Sequence, residues 1–265
     1  MKSFEITTDP FGGVSVVSEC LPESVDEFRE CLASEVAAWT AAGYKLAWLK
    51  LPVEKSALIP HAVAAGFKFH HAKEDYLMLT QQLRAGAFVP SDASHFIGAG
   101  AVVISPEREL LVVVERYHAQ DRPNFFKMPG GLLNFGEHLA DGVMREVYEE
   151  TGVRTRFESV VCFRHQHGYR FGKSDIYFVC RLAPISKDIV MDPEEIAEAR
   201  WMPVDDYLAG EHISTFNKHI VRMAMERPGA AHTIVEGYNV DLTKTEVFTS
   251  SGPPPGCRSR HGKRA

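Results

Sequence analysis

The chain has 265 residues, of which 45% are hydrophobic and 24% are charged, so a packed core is expected and global disorder is excluded. The formal net charge is −6 even though four basic residues fall in the last eight positions, which argues against a general nucleic-acid-binding surface. No run of about 18 apolar residues occurs, so no membrane span is expected. The five cysteines are odd in number and form no C-x-x-C pair, which excludes a zinc ribbon, and reduced thiols in the cytoplasm are the expectation.

The first elements predict a small α+β unit. Ser24 and Glu27 have the spacing of a capping box, and apolar residues then recur at helical spacing, so a helix is predicted from Ser24 to Gly43. The remaining predicted elements of this unit are strands over 47–51, 67–69 and 76–80 and a helix over 54–65.

Two adjacent histidines, His70 and His71, follow the second of these strands. Consecutive residues in a strand point to opposite faces, so we expect this pair to pack or to form hydrogen bonds at the domain joint rather than to share a metal ion.

A polar joint over 81–92 separates this unit from a longer series of strands and helices. The predicted domains are 1–85 and 93–228, followed by a C-terminal extension over 229–265 that is predicted to be disordered from Gly252. The elements predicted in the second domain are strands over 96–104, 109–115, 155–163, 175–181 and 198–202 and helices over 138–151, around Tyr207 and over 213–225.

Residues 131–153, GLLNFGEHLADGVMREVYEETGV, carry the most informative pattern in the chain. On a helix, Glu146, Glu149 and Glu150 share one face, where carboxylates without a cation repel one another. Hard divalent cations prefer oxygen ligands, so this face predicts a site for Mg²⁺ or Mn²⁺. An acidic solvated face is the alternative, but it does not explain the glycines on both sides.

The other residues of the pattern support the same helix. Leu139, Val143 and Val147 recur at four-residue spacing and form a side that we expect to be buried. Arg145 precedes Glu149 by four residues and is expected to orient it through a charge-assisted hydrogen bond.

This pattern fits the Nudix box at every position, and the chain therefore resembles the Nudix hydrolase family. The resemblance implies an α/β/α sandwich and metal-dependent hydrolysis of a pyrophosphate bond in a nucleoside diphosphate linked to another moiety. It also implies metal ligands and catalytic residues in this set: the Gly130 carbonyl, Arg145, Glu146, Glu149 and Glu150. In many members the catalytic base comes from a later loop, where Glu195 is the candidate and a surface acid is the alternative.

Shorter segments resemble one subgroup of the family, which comprises plant Nudix hydrolases and the animal fibroblast-growth-factor-antisense Nudix protein. These segments are 47–52, 66–72, 76–79, 171–175 and 201–203. The resemblance implies an N-terminal pre-Nudix domain with an acetyltransferase-like fold, a nucleotide-derivative substrate (ADP-ribose, NADH, FAD, a coenzyme A derivative or a dinucleoside polyphosphate) and a homodimer. The alternative is a catalytically weak regulatory protein that senses a nucleotide or binds a partner.

Five further residues are candidates for substrate binding. Phe126 could stack on a base or pack in the core, and Arg164 and Arg170 could contact phosphate or be ordinary surface charges. His165 and His167 would share one strand face, where they could bind phosphate or accept a proton.

Overall fold

The computed structural model describes residues 3–122, 124–238 and 240–250. They form two compact units that divide between Ser94 and His95. The tail predicted to be disordered, from Gly252 onward, lies outside the described residues. Among the described helices, none combines the length and apolar character that crossing a membrane requires.

One five-stranded sheet forms the centre of the N-terminal unit. Its strands are β1 (Ile6–Thr8), β2 (Gly13–Val16), β3 (Leu46–Pro52), β4 (Lys68–Ala72) and β5 (Tyr76–Gln82). Their order is β1-β2-β3-β5-β4, with β2 and β3 parallel and the other neighbours antiparallel. The sequence pattern did not predict β1 and β2, which have only three and four residues and so carry little periodicity.

Helix α1 (Val25–Ala41) confirms the predicted capping box, because the Ser24 hydroxyl accepts the backbone N–H of Glu27. Its apolar side buries Phe28, Leu32 and Trp39 in the core of the unit. This side packs in the same apolar cluster as the buried residues of β3.

The second helix was predicted as one piece over 54–65, and this prediction was wrong. The segment is a 3-10 helix over Val53–Leu58 followed by helix α2 (Ile59–Ala64). Pro60 lies in the first turn of α2, where its missing N–H costs nothing, whereas inside a longer helix it would break a hydrogen bond.

His70 and His71 lie on the same side of the sheet, against the alternation that the sequence suggested. The pairing of β4 with β5 shifts register between Phe69 and His71, so a bulge places the two imidazoles together with their Nδ1 atoms 2.6 Å apart. The Nε2 atom of His70 also lies 2.6 Å from the Pro90 carbonyl oxygen, so hydrogen bonding near the joint is what these residues provide.

The described part of the C-terminal unit contains a four-stranded sheet, a two-stranded sheet and, in the C-terminal extension, a further pair of short strands. Its strands are β6 (His95–Val103), β7 (Glu109–Glu115), β8 (Gly130–Leu132), β9 (Thr155–Gln166), β10 (Ser174–Pro184) and β11 (Ile196–Pro203). Its helices are α3 (Arg116–Ala119), α4 (Leu139–Thr151), α5 (Val204–Ala209) and α6 (Thr215–Glu226). The larger sheet has the order β8-β6-β10-β9 and the smaller one joins β11 to β7, which confirms the α/β class.

Helices α4 and α6 contribute to two different apolar clusters, which gives the unit its layers. Val143 and Val147 of α4 pack in one cluster with Ala99 and Ala101 of β6. Ile220 of α6 packs in the other cluster with residues of β7 and β10. The acidic helix is therefore held on the sheet by one face, and its other face is available for chemistry.

The described part of the C-terminal extension folds back onto this unit. Two short strands, β12 (Ala231–His232) and β13 (Phe248–Thr249), pair with each other, and Ala230 exchanges backbone hydrogen bonds with Val160 of β9. Glu246 then reaches the first residues of α4.

Candidate active site

The guanidinium group of Arg145 holds three glutamates together at the exposed side of α4. It donates to both carboxylate oxygens of Glu137, at 2.7 and 2.8 Å, and through Nη1 to Glu146 at 2.9 Å and Glu149 at 2.7 Å. These hydrogen bonds, led by those to Glu137, raise the pKa of Arg145 above its ordinary value. The predicted contact between Arg145 and Glu149 is confirmed, and two further carboxylates share the same cation.

Glu150 is buried, whereas a glutamate on an acidic helix face would be expected at the surface. Only 6% of the residue is exposed, and its Oε2 atom accepts the backbone N–H of Gly130 at 3.0 Å. Burial raises the pKa of Glu150 to about 7, although the charge of Lys127 opposes the shift. This carboxyl group therefore gains considerably from any cation that approaches it.

Two glycines let the backbone pass close to these acids. Gly130 has φ +150°, and a Cβ atom there would lie 2.2 Å from the Ala99 carbonyl oxygen. A Cβ atom at Gly131 would lie 2.3 Å from a carboxylate oxygen of Glu146. Any larger side chain at either position would displace the strand or the acid.

Glu146 is half-buried and lies close to other charged groups. Burial raises its pKa despite the hydrogen bond from Arg145, and the negative charges of Glu149 and Glu195 act in the same direction. Glu195 is thus close enough to act electrostatically on Glu146. Its backbone carbonyl accepts the N–H of Arg116 at 2.8 Å, which fixes the loop that carries it.

The oxygen donors near Gly130 fit a hard divalent cation. Glu146, Glu149, Glu150 and the Gly130 carbonyl offer oxygen ligands, which are the ligands that Mg²⁺ and Mn²⁺ prefer. Within the described ranges, no three His, Cys, Asp or Glu side chains are already arranged around a common metal position. Arg145 is one reason for the lack of a preformed metal position, because its guanidinium binds oxygens of Glu146 and Glu149.

An ion pair that the sequence reasoning missed lies next to the acids. The Lys127 ammonium group bonds to Glu115, and both side chains are about one-fifth exposed, at 22% and 19%. Burial alone would raise the pKa of Glu115, but the charge and hydrogen bond of Lys127 outweigh it and hold that pKa below its ordinary value. One feature of the sequence could have indicated this ion pair: Lys127 lies only three residues before Gly130. In the structure, the Lys127 segment forms an isolated β-bridge with Val113 of β7.

Comparison with known proteins places this geometry in a family. Residues 94–222 match the model of the NUDIX domain, and residues 4–83 match a model described as a Nudix hydrolase domain. Over 201 residues the chain is 42% identical to Nudix hydrolase 2 of Arabidopsis thaliana, covering 76% of this chain and 72% of that protein. The chain belongs to the Nudix hydrolase family.

Two other relatives show how far the similarity extends. Nudix hydrolase 8 of Arabidopsis thaliana is 42% identical over 202 residues, and this match spans 76% of the chain but only 55% of that protein. The human protein named Nucleoside diphosphate-linked moiety X motif 6 is 36% identical over 249 residues, or 90% of this chain and 76% of that protein. Both units of the chain are therefore shared with relatives, which confirms the expected Nudix subgroup and the hydrolase class.

The residues of this Nudix hydrolase that were predicted to bind substrate lie in different surroundings. Phe126 is 5% exposed in the apolar core, and the Arg200 guanidinium covers its ring at 4.1 Å, which agrees with core packing, the second of the two alternatives, rather than with stacking on a base. Arg164 forms an ion pair with the buried Asp175 at 2.9 Å. Arg170 is exposed, and its guanidinium lies 5.6 Å from the ring centroid of Tyr169.

His165 and His167 lie together, as predicted, with ring centroids 4.4 Å apart. The Nε2 atom of His165 is also 2.9 Å from Nε2 of His95, and Nδ1 of His167 is 2.9 Å from the Ser174 hydroxyl. Because Arg164 and His165 are consecutive in β9, they point to opposite faces of the sheet, so the structure does not bring all the predicted substrate-binding residues together.

Proposed function

We propose that this chain hydrolyses a pyrophosphate bond in a nucleoside diphosphate linked to another moiety, using a divalent metal ion. The observation that carries the proposal is the pairing of two features of α4: Arg145 bonds to both Glu146 and Glu149, and the next acid, Glu150, is buried and accepts the backbone N–H of Gly130. An acidic helix that served only to remain soluble would not bury Glu150 to 6% exposure.

The ligands proposed for Mg²⁺ or Mn²⁺ are Glu146, Glu149, Glu150 and the Gly130 carbonyl. When bound, the ion would neutralise phosphate oxygens of the substrate and lower the pKa of a water molecule. Burial is the main cause of the raised pKa values of Glu146 and Glu150, and a cation bound between these carboxylates would favour their charged forms.

The protein groups have separate proposed tasks. Glu195 accepts the proton of the attacking water as general base, since its charge already acts on Glu146. Arg145 keeps the carboxylates of Glu146 and Glu149 oriented. Arg170 contacts a substrate phosphate, because its guanidinium is exposed and suits bidentate recognition of phosphate oxygens.

The candidate substrates come from the subgroup that the chain resembles. The proposed candidates are ADP-ribose, NADH, FAD, a coenzyme A derivative and a dinucleoside polyphosphate. Each has the linkage that the acidic site would cleave, and each leaves two phosphate-bearing products, so the products identify both the substrate and the bond.

The test is mass spectrometry of products from this panel with Mg²⁺, with Mn²⁺ and with a chelator. We expect metal-dependent cleavage of at least one compound, and we expect Glu150→Gln to lose it while keeping its melting temperature. Asp141→Asn is the matched control, because it removes an exposed carboxylate from the same helix. Full activity of Glu150→Gln, or cleavage that persists in chelator, would contradict the ligand assignment.

Two predictions about the whole protein come from the sequence and the resemblance. We propose a cytoplasmic location, which fractionation of cells that express a tagged chain would check. We also propose a homodimer, which light scattering during size-exclusion chromatography would check, and a monomer at all concentrations would refute it.

A further inference from the structure

The N-terminal unit contains a cavity of about 530 Å³ that the catalytic proposal does not use. This volume lies within the range of roughly 300–1,000 Å³ that is typical of small-molecule sites. The lining residues that matter here are Phe11, Lys45, Trp48, Arg84 and Phe88.

One wall of the cavity is a turn fixed by hydrogen bonds. The Asp9 carboxylate accepts the backbone N–H of Phe11 at 2.8 Å and that of Gly13 at 2.9 Å. The Lys45 backbone N–H donates to the Gly12 carbonyl at 2.8 Å, which ties this turn to the start of β3. Phe11 is therefore presented on an ordered turn.

A second wall of the cavity is the segment that follows β5, and several hydrogen bonds hold this segment in place. The Gln82 amide donates to the Ala87 carbonyl at 2.6 Å, and the Ala87 N–H donates to the Arg84 carbonyl at 3.0 Å. Further along, the Pro90 carbonyl is held by His70 at 2.6 Å, and the His70 ring meets Trp48 edge-on at 4.9 Å. Both walls are thus built into the unit.

The cavity is aromatic and positively charged at the same time. Phe11 and Phe88 are 82% and 83% exposed, an unfavourable placement for two phenyl rings at one opening. Lys45 and Arg84 are also exposed, and neither forms an ion pair with any residue in the described part of the chain. The acid in the lining, Asp9, already accepts two backbone N–H groups.

We propose that this cavity binds a small aromatic anion. The flat ring system of the ligand contacts Phe11, Trp48 and Phe88, and its anionic group pairs with Lys45 and Arg84. A neutral apolar ligand would leave both cations without a partner, and a simple inorganic anion would leave the aromatic rings exposed. Nucleoside monophosphates and aromatic carboxylates share the required chemistry.

The first test compares two fluorescent probes on the full chain: the anion 8-anilinonaphthalene-1-sulfonate and N-phenyl-1-naphthylamine, its neutral analogue with the same rings. We expect the double variant Lys45→Gln/Arg84→Gln to weaken binding of the anion by about tenfold or more, because each charged contact contributes more than a neutral one, and to leave the neutral probe unchanged. Phe11→Ala/Phe88→Ala weakens both probes, because it removes the aromatic contact.

The matched control is Arg29→Gln/Lys68→Gln, which removes two exposed cations of the same unit away from the cavity. It should bind both probes as the unmodified chain does. Equal affinity of the anionic probe for the unmodified chain and for Lys45→Gln/Arg84→Gln would overturn the proposal.

The second test separates the two ligand sources by displacing the anionic probe with AMP or with 1-naphthoate while amide resonances are followed by NMR. Displacement by AMP, with shifts over 9–13 and 84–88, assigns nucleotides to the cavity. Displacement by 1-naphthoate alone assigns carboxylates. Displacement by neither compound, or shifts confined to the acids of α4, would overturn the proposal, and this outcome is independent of whether the catalytic site is active.

Discussion

The carboxylate of Glu246 accepts the backbone N–H of Leu139, the first residue of α4, with 2.6 Å between Oε2 and N. The Oε1 atom lies 3.4 Å from the backbone nitrogen of Ala140, and Nδ1 of His138 lies 3.5 Å from Oε2. His138 precedes the helix but supplies no side-chain cap of its own. A residue 107 positions later in the chain therefore satisfies N–H groups of α4 and places a negative charge at its N-terminus.

This contact predicts that the C-terminal extension stabilises α4. Glu246→Ala should lower the free energy of unfolding by about 1 kcal/mol, as the loss of a helix cap does, and the melting temperature by roughly 2–4 °C. Thermal unfolding followed by circular dichroism measures the change. Glu236→Ala removes an exposed glutamate of the same segment and should have no effect. Equal melting temperatures for the two variants would show that the cap is not significant.

Helix α4 could be predicted from the sequence because the residues that determine it are close together along the chain. The predicted range of 138–151 agrees with Leu139–Thr151, and the side with Val143 and Val147 is fully buried. Gly152 ends the helix in the left-handed conformation, with φ +70°, as its residue type indicates. Spacing along one helix determines all of these features.

Other features depend on contacts between distant segments, which spacing along the chain does not reveal. Periodicity places Glu150 at the edge of the acidic face, but its burial depends on the Gly130 backbone packing over it from β8. The Lys127–Glu115 ion pair and the Glu246 cap join residues on separate elements. The bulge at His70 has no local signal, since a strand with one inserted residue has an ordinary composition.

Arg145 is predicted to act by positioning the metal ligands. Arg145→Lys keeps the positive charge but cannot present a planar fork to Glu137, Glu146 and Glu149 together. We expect turnover to fall by about 10- to 100-fold and the half-saturating Mg²⁺ concentration to rise, as is typical when a residue that orients metal ligands is lost.

Steady-state rates over a metal titration measure both effects, with Arg154→Lys as the control at an exposed arginine just beyond the helix. An unchanged metal requirement in Arg145→Lys would mean that the arginine does not orient the ligands.

Neighbouring residues of α4 should respond in opposite ways to the same substitution. Val147 is fully buried, so Val147→Asp places an unpaired charge in the core and should cause aggregation or unfolding of the C-terminal unit. Tyr148 is 50% exposed, so Tyr148→Asp should stay soluble and folded. Soluble yield and melting temperature provide the comparison. A soluble Val147→Asp protein with the melting temperature of the unmodified chain would contradict the assignment of the buried face.

The hydrogen bonds between Arg145 and Glu137 predict how stability depends on pH. They hold the pKa of Glu137 below its ordinary value of 4.5, since the guanidinium favours the charged carboxylate. A carboxyl group with a lowered pKa in the folded state stabilises the protein fully above its unfolded pKa, and this contribution is lost as the pH falls through the folded pKa.

The difference in free energy of unfolding between the unmodified chain and Glu137→Gln should therefore be largest near neutral pH and should shrink below about pH 4.5. Urea unfolding at a series of pH values measures this difference, and Glu211→Gln, at an exposed glutamate, is the control. A difference that stayed constant down to acid pH would mean that the hydrogen bonds to Arg145 do not stabilise the charged form of Glu137.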